Sequence, residues 1–263
     1  MKTILQLKDI WLSFTNVHNE TFDLLRGINL DVEEGKITAL VGGNGAGKTT
    51  IFNIISGFQK DYSGSVYFEG SNISNLAAHQ ISRRGIGRLF QNGQLLSGLT
   101  LIENMKVASN NRVGETPYSL FTRPLANLAI ESEREQHAKE ILSSFFGVDN
   151  KYQKMLNTEG SFFSYGEQRM LSMIRLLMSE NRLILLDEPT SGVNPVFIDT
   201  IERIIHHIVK EEHVTVLLIE HNMHFVRKIA DTCAYLDEGV IAMSGPTADI
   251  LDDKNVRNSY LGL

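Results

Sequence analysis

Cysteine is nearly absent: the 263-residue chain has one, Cys233, which has no partner for an internal disulfide. The fold must therefore be held by a packed core, and a reducing compartment, the cytoplasm, is the expected setting. Cys233 itself reads as a small buried hydrophobe. Long hydrophobic runs are also missing. The longest, such as Val216-Leu217-Leu218-Ile219, fall far short of the ~20 residues that cross a bilayer. At the start, Lys2, Thr3, Gln6 and Lys8 break the apolar stretch that a secretion signal needs. No export is expected, and any role at a membrane must come through a partner. A basic excess is lacking too: 25 Lys and Arg face 31 Asp and Glu, giving a net charge of -6. Affinity for phosphate backbones comes from Lys and Arg displacing counterions, so no nucleic-acid partner is expected. There is no internal repeat, low-complexity tract or heptad run. What is there, 42% hydrophobic and 21% charged residues, suffices for the core of one large or two small domains.

The first forty or so residues read as short β-branched strands broken by turns, among them Glu33-Glu34-Gly35-Lys36. The apolar Ile37-Thr38-Ala39-Leu40-Val41 then runs into Gly42-Gly43-Asn44-Gly45-Ala46-Gly47-Lys48-Thr49. In that pattern glycines let backbone N–H groups wrap phosphates, Lys48 reaches the β and γ groups, and the Thr49 hydroxyl holds Mg²⁺. A helical pattern follows from Thr50 to Gly57, so strand, loop and helix come in the required order. Residues 92–180 are mostly helical in pattern, with a polar, Pro-containing stretch at 114–124 and a charged helix at 131–146. Two fully apolar strands, residues 183–186 and 214–219, are of the kind a parallel sheet covered on both faces produces.

The first of these strands ends in Asp187-Glu188-Pro189, at the carboxyl edge where open α/β sheets bind their ligands. Two carboxylates there match metal orientation by Asp187 and polarisation of an attacking water by Glu188. The second ends at His221, whose imidazole could hydrogen-bond a γ-phosphate oxygen. Ser164-Tyr165-Gly166-Glu167-Gln168 opens another helix as a capping box, in which Ser164 accepts from the N–H of residue 167 and Glu167 reaches back to the N–H of residue 164. The same helix start is an anion site suited to a γ-phosphate.

Taken in order, these segments resemble the ATP-binding-cassette ATPases over essentially the whole chain. Residues 42–49 look like the Walker A loop, Gln91 in Arg88-Leu89-Phe90-Gln91 the Q-loop, residues 164–168 the signature and 183–188 Walker B. Ser191-Gly192-Val193-Asn194-Pro195 falls at the D-loop and His221 at the switch histidine. The resemblance implies an α/β phosphate-loop cassette with a mixed core sheet, an N-terminal antiparallel β subdomain and an inserted helical subdomain. Core and β subdomain would occupy about 1–91 and 181–263, and the helical subdomain about 92–180.

It further implies ATP and Mg²⁺ as ligands. Gly42, Gly43, Asn44, Gly45, Ala46, Gly47, Lys48, Thr49 and Thr50 would bind nucleotide, with Thr49, Gln91 and Asp187 at the metal and Glu188, His221 and Gln91 catalytic. Phe14 is the candidate for stacking on adenine, with Phe22 or Trp11 as alternatives. Ser164, Gly166 and Glu167 would meet the nucleotide of a second cassette, paired head to tail as homodimer or heterodimer. Phe163, Tyr165 and Glu167 depart from the family's Leu-Ser-Gly-Gly-Gln, and Asn194 stands where Asp is commoner.

Residues 85–91, 99–105, 164–169 and 218–223, an insertion at 110–134 and the ending at 259–262 are most similar to ATPases of branched-chain amino-acid importers. Permeases would then dock near the Q-loop and a solute-binding protein would act indirectly, with the chain peripheral on the cytoplasmic face of the inner or plasma membrane. ATPases of the lipopolysaccharide exporter share several of these features. A soluble, non-transport cassette would carry twin cassettes or a long coiled coil, and this chain has neither. A cassette that binds ATP without turnover is opposed by Glu188 and His221.

Overall fold

The computed structural model describes residues 2–15, 21–109, 124–148 and 150–261. Residues 16–20, between the candidate aromatics Phe14 and Phe22, most of the polar stretch at 114–124 and most of the insertion at 110–134 lie outside the described residues, as does Gly262 at the chain's end. By internal packing the chain divides into two compact units, one of residues 1–91, 182–191 and 208–263, the other of residues 92–181 and 192–207.

In the first unit, β1 (Thr3–Thr15), β2 (Thr21–Glu33), β4 (Ser63–Phe68) and β5 (Ser71–Asn72) form an antiparallel sheet in the order β2-β1-β4-β5. The sequence predicts short strands here, yet β1 and β2 each run 13 residues. The register between them shifts at four places, and each bulge breaks the period-two pattern by which a strand is recognised. One bulge is visible in detail: Asp9 has φ 50° and its N–H donates to Asn29 Oδ1.

The second sheet has six strands among the described residues: β3 (Ile37–Gly42), β6 (Ile86–Leu89), β7 (Leu183–Asp187), β8 (Thr215–Ile219), β9 (Thr232–Asp237) and β10 (Val240–Pro246), in the order β10-β9-β3-β8-β7-β6. All neighbours are parallel except β9 and β10. Every residue of β3, β7 and β8 is buried, as strands covered on both faces require. One apolar core is shared by both sheets and the Lys48–Ile55 helix, joining Leu5, Ile10 and Leu25 to Phe52 and Ile55 and to Leu185, Leu217 and Leu236. Cys233 on β9 lies in this interior at 1% exposure, and burial pushes its thiol up to about 12.

The second unit contributes helices Leu101–Val107, Pro124–Phe146 and Tyr165–Arg175. The charged helix expected from residue 131 starts seven residues earlier, at Pro124, where a fixed φ and a missing N–H suit the first helical position. Among the described residues no helix is long and apolar enough to cross a membrane.

Candidate functional site

The glycine-rich loop leaves β3 and enters the Lys48–Ile55 helix through Gly47, whose φ of 105° favours glycine and whose absent Cβ would lie 2.7 Å from Leu25 Cδ2. At the other end of the loop a Cβ on Gly42 would collide with the Leu236 carbonyl. Both glycines are therefore required by close approach. Gly43, Asn44, Gly45 and Ala46 form the turn between them, closed by Ala46 N donating to Gly43 O. Thr49 and Thr50 stand in the first turn, where backbone N–H groups have no carbonyl above them. Lys48 is buried, and its Nζ donates to Gly42 O at 2.7 Å and Gly43 O at 2.8 Å. Burial holds its pKa below the ordinary lysine value, while the charges of Glu188 and Asp187 draw it back up.

Sheet register relates this loop to the carboxylates. Leu40 of β3 lies opposite Ile219 of β8, which lies opposite Asp187 of β7. Two strand spacings of ~4.8 Å put Asp187 about 10 Å from β3 across the sheet's carboxyl edge. Asp187, 2% exposed, pairs with Arg88 NH2 at 3.0 Å. The Arg88 guanidinium also donates to Asn53 Oδ1 and Ser56 Oγ, both at 2.8 Å, and lies over the rings of Phe90 and Phe52. Burial lowers its pKa and Asp187 opposes that shift.

Glu188 comes next, in the left-handed region at φ 49°, a conformation that costs a non-glycine residue roughly 1–2 kcal/mol. Its N–H donates to Ile219 O at 2.9 Å, its carbonyl accepts from Ser191 N at 3.1 Å, and Pro189 follows. This turn aims the Glu188 carboxylate at two other groups singled out in the sequence. Gln91 Nε2 donates to Glu188 Oε2 at 2.8 Å, and His221 Nε2 lies 3.1 Å from Glu188 Oε1. Residues 91, 188 and 221, far apart in sequence, thus meet at one carboxylate.

The aromatic candidates lie on the other sheet. Phe14 and Phe22 are cross-strand partners, their ring centroids 5.9 Å apart and both rings exposed. Phe22 is two residues along β2 from Leu24, which with Leu25 packs near Gly47. Trp11 donates its indole N–H to Asp9 Oδ1.

In the second unit, Ser164 caps the Tyr165–Arg175 helix and the expected capping box forms: Glu167 N donates to Ser164 Oγ, and Ser164 N donates to Glu167 Oε2 at 3.0 Å. The other Glu167 oxygen takes the Lys151 ammonium. Burial raises the Glu167 pKa, but the hydrogen bonds from Lys151 and Ser164 outweigh it and leave the carboxyl below its ordinary range. Gly166 is buried, and a Cβ there would lie 2.7 Å from the Phe197 ring. Gly192, at φ 69°, has Tyr165 packed over it, and Asn194 closes a turn by accepting from Val196 N.

Sequence reasoning assigned no role to Arg88 or Glu220. Glu220 is 2% exposed and accepts four hydrogen bonds from residues 190, 221 and 222. The signal available in sequence was a charge inside or at the end of an otherwise apolar strand, a position that burial tolerates only with a partner.

The family model described as "ABC transporter" matches residues 25–191. The high-affinity branched-chain amino acid transport ATP-binding protein BraF of Pseudomonas aeruginosa is 36% identical over 239 residues, covering 90% of this chain and 91% of the relative. The probable branched-chain amino acid transport ATP-binding protein LivG of Archaeoglobus fulgidus is 35% identical, covering 90% and 89%. Among solved structures, an ATP-binding cassette of an ABC transporter in its ADP conformation superposes with TM-score 0.81 at 29% identity, over 100% of both chains. With the family model matching more than half of its length and relatives of this kind at 35–36% identity, this chain belongs to the ABC transporter family as one of its ATP-binding, ATP-hydrolysing subunits.

Proposed function

We propose that the chain hydrolyses ATP at Glu188 to drive a membrane transporter that imports branched-chain amino acids. The observation that carries the chemistry is the Glu188 carboxylate, bracketed by Gln91 and His221 at the sheet edge that also presents the phosphate loop. Residues 42–50 bind the nucleotide phosphates through loop N–H groups. Lys48 exchanges its two neutral carbonyl acceptors for charged β- and γ-phosphate oxygens, so that the ammonium gains a counter-charge. Phe14 stacks on adenine.

Glu188 accepts a hydrogen bond from the attacking water, Gln91 orients that water, and His221 donates to a γ-phosphate oxygen. The new P–O bond forms as the bond to the β–γ bridging oxygen breaks, and ADP and phosphate leave. The Thr49 hydroxyl, the Asp187 carboxylate and the Gln91 amide oxygen are hard oxygen donors, a set that fits Mg²⁺ held by few protein ligands plus phosphates. Bound there, Mg²⁺ would neutralise phosphate charge.

Ser164 and Gly166 serve the ATP of a second cassette, head to tail, while Glu167 stays turned into its capping box. Integral permease subunits hold the pair on the cytoplasmic face of the membrane, and a solute-binding protein acts through them. The substrate class is that of the branched-chain amino acid transport relatives in Pseudomonas aeruginosa and Archaeoglobus fulgidus.

Glu188→Gln tests the reading. Nucleotide binding by equilibrium titration is expected to persist, steady-state phosphate release to fall at least 100-fold, and a closed dimer to accumulate with ATP on size exclusion. Wild-type phosphate release from that variant would remove Glu188 from the reaction.

A further inference from the structure

Glu220 ends β8 with a carboxylate that the reaction above does not use. Its exposure is 2%. Oε1 accepts from Thr190 N at 2.9 Å and Thr190 Oγ1 at 2.6 Å; Oε2 accepts from His221 N at 3.0 Å and Asn222 N at 3.3 Å. An ionised carboxylate offers about four acceptor positions and no donor, and all four are matched by donors from two separate segments. One segment carries Glu188, the other His221. Pro189 has no N–H, so Thr190 is the first residue beyond Glu188 able to donate from its backbone. Below this clamp, Glu188 N bonds Ile219 O. The strained Glu188 turn and the His221 turn are therefore tied at two successive levels, by the backbone at Ile219 and by the side chain at Glu220.

We infer that Glu220 is a positioning residue for hydrolysis: its buried carboxylate fixes the spacing between Glu188 and His221. This rests on the assignment of those two residues to the reaction. A carboxylate is required because three of the four groups facing it are backbone N–H groups, which can only donate. A glutamine would turn its NH2 toward at least one of them, leaving a buried donor opposed and the two turns free to drift. Misplacement of a reacting group by about 1 Å costs up to ~100-fold in rate. The phosphate loop, on β3, is not part of the clamp, so nucleotide affinity should survive.

The test compares E220Q, H221A, the double variant E220Q/H221A and E188Q in steady-state ATP turnover and equilibrium nucleotide binding. We expect E220Q to lose about 10–100-fold in kcat with Kd for ATP within twofold of wild type. The double variant should be no slower than H221A alone, since without the imidazole there is no Glu188–His221 spacing left to hold; a purely structural defect would multiply the two losses. Wild-type kcat in E220Q, a matching loss of affinity, or multiplying losses each overturns the inference. If E188Q is inactive while E220Q turns over normally, only the positioning role fails; if E188Q turns over normally, both readings fall. Should E220Q not accumulate folded, T190V decides: it deletes one donor and keeps the backbone N–H, so reduced kcat at unchanged Kd supports the clamp and wild-type kcat refutes it.

Discussion

Substituting Arg88 by Met removes the cationic half of the Arg88–Asp187 pair while keeping an unbranched side chain of similar reach. The side chains are 5% and 2% exposed, so solvent screens the interaction little. Removing one partner of a buried pair costs about 3–5 kcal/mol, because the remaining charge stays buried without its counter-charge. Asn53 Oδ1 and Ser56 Oγ lose a donor as well, which places R88M toward the upper end of that range. For a chain of this size each kcal/mol moves the melting midpoint by ~2–4 °C, so the expected drop is about 6–20 °C. The assay is thermal unfolding followed by circular dichroism, without nucleotide, so that ligand linkage does not enter. R88M/D187N, which also deletes the orphaned charge, should recover roughly half of the loss, since the two sites are in direct contact and their effects are not additive. A midpoint for R88M within 2 °C of wild type, measured to about 1 °C, would refute the reasoning that Arg88 stabilises the fold by joining β6 to Asp187 of β7 and to Asn53 of the Lys48–Ile55 helix.

The Glu167 cap carries a pH signature. Its folded pKa lies below the ordinary 4.5, so the stability it adds is fully present above that value and is lost as the pH falls through the lower folded pKa. E167Q keeps the reach-back acceptor but not the charge facing Lys151. The melting difference between wild type and E167Q should therefore be greatest near neutrality and close as the pH falls below 4.5 and through the lowered folded pKa; a difference that stays constant as the pH is lowered would contradict it. Transport predicts recovery of the chain in membranes only when a permease is co-expressed, and isolation from native cells without any integral membrane protein would count against it.

Much of the site was legible in the sequence because its determinants are local. A strand, a glycine turn and a helix start are contiguous, and the 42–49 pattern specifies where backbone N–H groups gather. The capping box is a four-residue device, and it forms as expected at 164–167. The apolar runs at 183–186 and 214–219 specified buried strands because burial on both faces permits no polar alternation. The β1–β2 pair was less legible, since four register shifts interrupt its periodicity, and the start of the long helix at Pro124 was missed because its first turns lack the charge pattern seen from Glu131 onward.

The sequence by itself determined the chemistry available: a phosphate loop, a strand ending in Asp187 and Glu188, a histidine at the end of another strand, and one inert cysteine. Only the tertiary structure decided which of these side chains meet. Gln91 reaches Glu188 across 97 positions of chain, Arg88 reaches Asp187 across 99, and Thr190 reaches Glu220 across 30. The order β3-β8-β7-β6 sets those meetings, and strand order is fixed by crossover connections and by how the buried faces pack. A linear pattern shows that a charge such as Arg88 or Glu220 must have a partner once it is buried; the sheet register decides which one.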